Sequence, residues 1–126
     1  MLRKNYGVIR KMKSGTLFRQ GEILIVPFPF SNLSSIRQRP VLILSNSEYN
    51  KTSNYLVTCG ITSNLKDTKY SVLIDNESLL EGNIPTKSRI KVDKLFTLEK
   101  GIIKKKLGRI NQETFNSVKK EFVRLI

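Results

Sequence analysis

Residues 21–46, GEILIVPFPFSNLSSIRQRPVLILSN, hold two apolar runs separated by a polar loop. Ile23-Leu24-Ile25-Val26 is rich in β-branched side chains, which suit a pleated, buried strand, and Pro27 and Pro29 are expected to stop it. Ser31-Asn32-Leu33-Ser34-Ser35 is loop chemistry. Pro40 restricts Arg39 to extended backbone, and Val41-Leu42-Ile43-Leu44 then forms a second buried strand. An arginine at the mouth of a strand, beneath a loop, is where a small β-barrel would place a charge for phosphate.

Working outward, residues 54–62 (NYLVTCGIT) are predicted to form a third strand, with Gly60 at a bulge or close approach. Residues 70–74 and 88–92 give a fourth and a fifth, separated by Asn-, Asp-, Gly- and Pro-bearing turns. Residues 102–107 suggest an edge strand whose lysines deter further pairing. The C-terminus is helical: Asn111 is a good N-cap, Glu113 suits the positive end of the helix dipole, and Phe115, Val118, Phe122 and Leu125 recur at three- and four-residue steps. Strands followed by one helix imply a mainly β domain, a small barrel or half-barrel with a C-terminal α-helix packed on it. Residues 1–20 are expected to be a basic N-terminal extension, and residues 21–126 the folded domain. The first nineteen residues carry six basic side chains and no acid, without the apolar stretch of a secretory leader.

With 126 residues the chain can bury one core unaided. Its single cysteine, Cys59, excludes an intramolecular disulfide, and no Cys/His set has metal-ligand spacing, so no cofactor or metal is expected. No apolar run approaches the roughly 18 residues that span a bilayer. A cytoplasmic protein without a membrane partner is the expectation. Against 10 acidic residues stand 23 Lys+Arg, a formal charge of +13. That excess fits a polyanionic partner: nucleic acid first, then an acidic protein, then an anionic membrane surface; a solvated basic surface is the plainer alternative.

Several pieces in order resemble the MazF/PemK family of bacterial toxins, endoribonucleases of toxin–antitoxin pairs. They are Gly21-Glu22, the box Arg39-Pro40-Val41-Leu42-Ile43-Leu44-Ser45, Ile61-Thr62-Ser63, Val92-Asp93-Lys94-Leu95-Phe96-Thr97-Leu98, and Leu107-Gly108-Arg109-Ile110 before the helix. The FPFSNLSS loop resembles the PemK-like branch. The resemblance implies an SH3-like barrel, a homodimer, cleavage of single-stranded RNA without metal, and neutralisation by an acidic cognate antitoxin. It also implies roles for residues. Thr62 falls at the family's Ser/Thr position, its hydroxyl placed for the phosphate or the 2′-oxygen, with Ser63 as neighbour. Asp93 falls at an acidic position, as base or as structural ion pair. Lys91 falls where one branch carries an arginine, keeping the charge but losing the bidentate fork.

Metal-free RNA cleavage uses the substrate's 2′-hydroxyl as nucleophile and needs positive charge on the phosphate as it grows more anionic. Arg39 suits that task because its planar guanidinium holds two oxygens at once. A guanidinium is a reluctant proton donor, so a general-acid role is discounted. The chain has no histidine, which excludes a two-histidine mechanism and leaves the proton acceptor open. Asn32, Ser34, Arg37 and Gln38 are candidate RNA contacts from the loop region; Lys87, Arg89 and the run 104–106 are candidates along the backbone, or simply solvated faces. Phe28 and Phe30 either stack on bases or anchor the loop. Cys59 is expected in the core. Two other readings stay open: a barrel that binds RNA or DNA without cutting, and, last, a gyrase-directed toxin of the CcdB kind, whose aromatic tail the ending Val123-Arg124-Leu125-Ile126 lacks.

Overall fold

The computed structural model describes residues 15–29 and 36–126, apart from the side chains of 28, 29 and 36. Seven antiparallel strands form one curled sheet, a half-barrel. They are β1 (Glu22–Pro29), β2 (Ile36–Ile43), β3 (Tyr55–Thr62), β4 (Ser71–Ile74), β5 (Leu79–Gly82), β6 (Ser88–Glu99) and β7 (Lys105–Ile110). Helix α1 (Ser47–Thr52) follows β2, and α2 (Gln112–Leu125) ends the chain. The strand order is β4-β6-β3-β2-β1-β7-β5, with β4 and β5 at the edges.

β1 is central, and its apolar run is continuous because both faces are covered: Ile23, Leu24 and Val26 are all buried. On one face Ile23, Leu42, Cys59, Ile61, Ile90, Val92, Ile110 and Val118 pack together, with Phe115 and Phe122 against them. On the other, Leu24, Val26, Val41, Ile43, Leu56 and Ile103 pack with Phe18. The packed domain thus reaches back to Phe18, inside the stretch expected to be extension. Arg19 is tied in beside it. Its backbone N–H and Nε donate to the buried Glu22 carboxylate at 2.8 and 3.2 Å, and the Lys106 ammonium donates to the same group at 3.2 Å. Glu22 and Glu81 raise the Arg19 pKa above its ordinary value, the hydrogen bond to Glu22 contributing most.

Helix α2 forms as expected, its Asn111 side chain accepting from Thr114 N–H at 2.8 Å and its Val118 fully buried; α2 lies over β4 and β6. Burial of a valine of this kind is worth about 1.5–3 kcal/mol.

Four expectations change. The prolines do not stop β1, which runs through Pro29. Beyond Ile25 β1 pairs with β2 alone, so the missing N–H groups need no partner on the other side. The expected lysine-protected edge strand is instead β7, shifted to Lys105–Ile110 and paired on both sides, by β1 and β5. Its Lys106 stem lies beside Phe18, with the ammonium 5.3 Å from the ring centroid. β6 continues past residue 92 to Glu99, and β5 and α1 were not expected at all.

Candidate functional site

The β2–β3 ladder is short, pairing Val41↔Gly60, Leu42↔Cys59 and Ile43↔Thr58. Beyond Val41 the strands part: residues 36–40 of β2 stay with β1, while Ile61 and Thr62 of β3 stay with β6. Arg39 and Thr62, each two residues beyond the last pair on its strand, both line the gap that results. A groove of about 350 Å³ opens there, lined by Arg39, Pro40, Val41, Gly60, Ile61 and Thr62, by Asn64, Lys66 and Thr68, and by Lys91, Lys94 and Phe96. It lies on the sheet face opposite α2.

The third strand of the groove is irregular. Gly60 pairs with Lys91, but its neighbour Cys59 pairs with Leu95, leaving residues 92–94 without β3 partners. Val92 turns into the core and donates its N–H to Tyr70 C=O at 2.9 Å. This bulge brings Lys91 and Lys94, three residues apart, to one groove, although a regular strand would send them to opposite faces. At Gly60 the floor runs close to β6: a Cβ there would lie in ordinary contact with Lys94 Cβ at 3.6 Å and Phe96 Cε2 at 3.7 Å.

Four lining side chains are cationic (Arg39, Lys66, Lys91, Lys94) and none is acidic. Such a surface favours anions, and its concavity focuses the field. Lys91 Nζ donates to Thr68 Oγ1 at 2.5 Å. Thr62 Oγ1 accepts from Asn64 N–H at 3.1 Å, which fixes the oxygen and leaves the hydroxyl proton to point elsewhere. Among the described residues no three His, Cys, Asp or Glu gather as a metal site.

The other candidates divide. Ser63, Lys87 and, at the loop end of β2, Arg37 and Gln38 are exposed and do not line the groove. Asn32, Ser34 and Phe30, with the Phe28 side chain, lie outside the described residues. Arg89, read as an RNA contact, is mostly covered and hydrogen-bonded within the protein; its Nε donates to Leu65 C=O at 3.1 Å and its Nη1 to Ser71 Oγ at 3.0 Å. Asp93 sits exposed on the bulge and does not line the groove. Its charge contributes to the Cys59 environment instead. Burial first, and Asp93 second, push the Cys59 thiol up to about 12 from an ordinary 9.0. Asn64, Lys66, Thr68 and Phe96 were not singled out from sequence. Only the polar gap after Thr62 hinted at the first three, and nothing in its spacing said that it folds back over Lys91.

Known proteins with the same fold include an endoribonuclease from Mycobacterial species (TM-score 0.69, 18% identity, 86% of this chain and 90% of that one). The same source provides an endoribonuclease solved in complex with its cognate antitoxin (TM-score 0.65, 18% identity, 84% and 91%). A MazE–MazF complex from Deinococcus radiodurans aligns with TM-score 0.71 at 17% identity over 87% and 96% of the two chains. At these identities the likeness establishes the fold, mainly β with one C-terminal helix. No curated protein matches by sequence. The family model of the PemK-like, MazF-like toxin of type II toxin–antitoxin systems matches residues 19–126. Over residues 19–126, which hold all seven strands and both helices, the chain belongs to the PemK/MazF toxin family.

Proposed function

We propose that this protein is an endoribonuclease that cuts single-stranded RNA without a metal ion, and that the groove between β2 and β3 is where it does so. The observation that carries the reading is that Arg39 and Thr62 line one groove together with three further cations and, among the described residues, no acid. An RNA phosphodiester seated there has its non-bridging oxygens on the Arg39 guanidinium. The 2′-oxygen attacks phosphorus, the 2′-O–P bond forms, and the P–O5′ bond breaks. The 2′-hydroxyl proton leaves to solvent hydroxide, and the 5′-oxygen takes a proton from water. The products are a 2′,3′-cyclic phosphate and a 5′-hydroxyl. Arg39 and Lys91 act by being in place before the charge develops, which is the most effective use of fixed cations. The Thr62 hydroxyl orients the 2′-oxygen or a phosphate oxygen. Asp93 is not part of this machinery, because it stands outside the groove.

Purified protein incubated with single-stranded RNA in excess EDTA should produce those ends. Arg39→Ala should slow the cut by roughly two to three decades, the usual effect of removing one charge-stabilising donor. Intact RNA, or cleavage indifferent to that substitution, would rule the reading out. That no acidic or imidazole side chain lines the groove among the described residues favours a second reading, RNA or DNA binding without cleavage; strongly salt-sensitive binding with no new RNA ends would select it. Nothing in the described groove favours a gyrase-directed activity.

The partners follow from the same surface. The basic groove suits an acidic cognate antitoxin as competitor, and a homodimer would lengthen the track along which RNA lies. Adding the product of the neighbouring gene should lower the cleavage rate.

A further inference from the structure

The wall of the groove that β2 and β3 do not supply comes from residues 63–70, which contain no helix or strand yet contribute Asn64, Lys66 and Thr68. Irregular backbone holds a position only if something pins it. At its start Asn64 N–H donates to Thr62 Oγ1 of β3 at 3.1 Å and Lys66 N–H to Asn64 Oδ1 at 3.0 Å, turns that leave the rest of the segment unheld. The hold comes from β6. Arg89, with a side chain 12% exposed, lies 3.4 Å from Asp67 Oδ1. It donates through Nε to Leu65 C=O at 3.1 Å and through Nη1 to Ser71 Oγ at 3.0 Å. The Ser71 hydroxyl donates onward to Thr68 C=O at 2.6 Å, and Thr68 Oγ1 accepts from Lys91 Nζ at 2.5 Å. One guanidinium therefore grips the segment near both its start and its end, and the last link of the chain is a lysine that lines the groove. At the end of the segment Tyr70 adopts φ 58°, a left-handed conformation uncommon outside glycine. Its carbonyl is held by Val92 N–H and its ring packs on the core, so the turn is fixed at its exit as well.

We propose that Arg89 is a positioning residue. Through Ser71 and Thr68 it holds residues 63–70 as the third wall of the groove and sets the Lys91 ammonium where an RNA phosphate meets it. The inference rests on the reading of the groove as an RNA-cleaving site. It differs from a role for Arg89 as one more cation along the RNA, and the two roles separate experimentally. If Arg89 contributed only charge, Arg89→Lys would preserve it, and Ser71→Ala would change nothing. If it acts through geometry, lysine fails because a point charge cannot supply Nε and Nη1 donors at the fork's angle. Ser71→Ala, which removes no charge and only one hydroxyl, then breaks the same chain.

The test measures steady-state cleavage of a short single-stranded RNA by the full chain, with circular dichroism and thermal unfolding as controls for folding. Arg89→Lys and Ser71→Ala should each lower kcat/KM roughly 10- to 100-fold, mostly through KM, the order expected when a contact is misplaced by about an ångström. The double variant should be no worse than either single one, as for two links of one chain. Limited trypsin digestion should cut faster after Lys66 and Lys69 in both variants. Cleavage by the unmutated protein with KM and trypsin rates unchanged in the variants overturns this inference alone. An additive double variant also overturns it. No cleavage by the unmutated protein overturns this inference together with the reading on which it rests.

Discussion

Arg39 could be singled out because proline restricts the backbone of the residue before it and because the box at residues 39–45 carries the family resemblance; it lines the groove. Thr62 was named only through the family resemblance; what the sequence could not carry is that the β2–β3 ladder ends at Val41 and Gly60, so that both side chains line the gap beyond it. Thr62→Val, which removes the hydroxyl but keeps the shape, should lower cleavage. Thr62→Ser should restore most of it, as a rate comparison of the two variants would show. Cys59 illustrates the opposite case, a residue whose chemistry is silenced by burial. With its thiol pushed up to about 12, it stays protonated in the fold far above the ordinary 9.0. The unfolded chain loses that proton first, so the unfolded state binds fewer protons between those values and stability falls as pH rises through them. The contribution is fully present below about pH 9. Unfolding midpoints should therefore drop more steeply above pH 9 in the native protein than in Cys59→Ala, and Ellman-type thiol reagents should react only on unfolding.

At the scale of elements, runs and caps were legible, while lengths and neighbours were not. β1, β2, β3 and α2 announced themselves through apolar runs, proline and an N-cap. β5 and α1 are short, and LLEG and SEYNKT carry no period from which to judge them. β7 misled because Lys105 and Lys106 resemble edge protection; Lys106 in fact extends to the buried Glu22 carboxylate and to Leu17 C=O. That carboxylate clamps three segments: the turn at Arg19, β1 and β7. Glu22→Gln keeps the volume but loses the charge facing two cations, and should cost about 1–3 kcal/mol in chemical denaturation. The partly exposed Arg19 and Lys106 can rehydrate, which keeps the cost in that range. Gly82, at φ +81° with Leu107 C=O and Gly108 Cα against it, closes the β5–β7 pair. Alanine there should cost more than about 1–3 kcal/mol, the strain of the backbone alone, before any clash.

For the whole molecule, the charge of +13 said that a polyanion was welcome but not where. Folding sorts it: four of the cations share one concave surface, while Arg19, Arg89 and Lys106 are engaged with carboxylates inside the domain. If all four lining cations meet phosphates, binding of a non-cleavable single-stranded oligonucleotide should weaken with salt at a log–log slope of about −3. A slope shallower than about −1 would mean the groove is not the site. Fold class was readable in the order of strands and helix, whereas the groove had to await the curling of the sheet, since residues 39, 62, 66 and 91 come from four separate segments. The bulge in β6 has a consequence for how this surface tolerates change. Lys91 and Lys94 reach the same side because residues 92–94 leave the β3 ladder between the pairs Gly60↔Lys91 and Cys59↔Leu95. Exchange of the side chain at 93 leaves the length of that excursion intact, but loss of a single codon there would shorten it and displace Lys94 from its place beside Lys91. Natural variation at this point should therefore alter letters freely and length hardly at all.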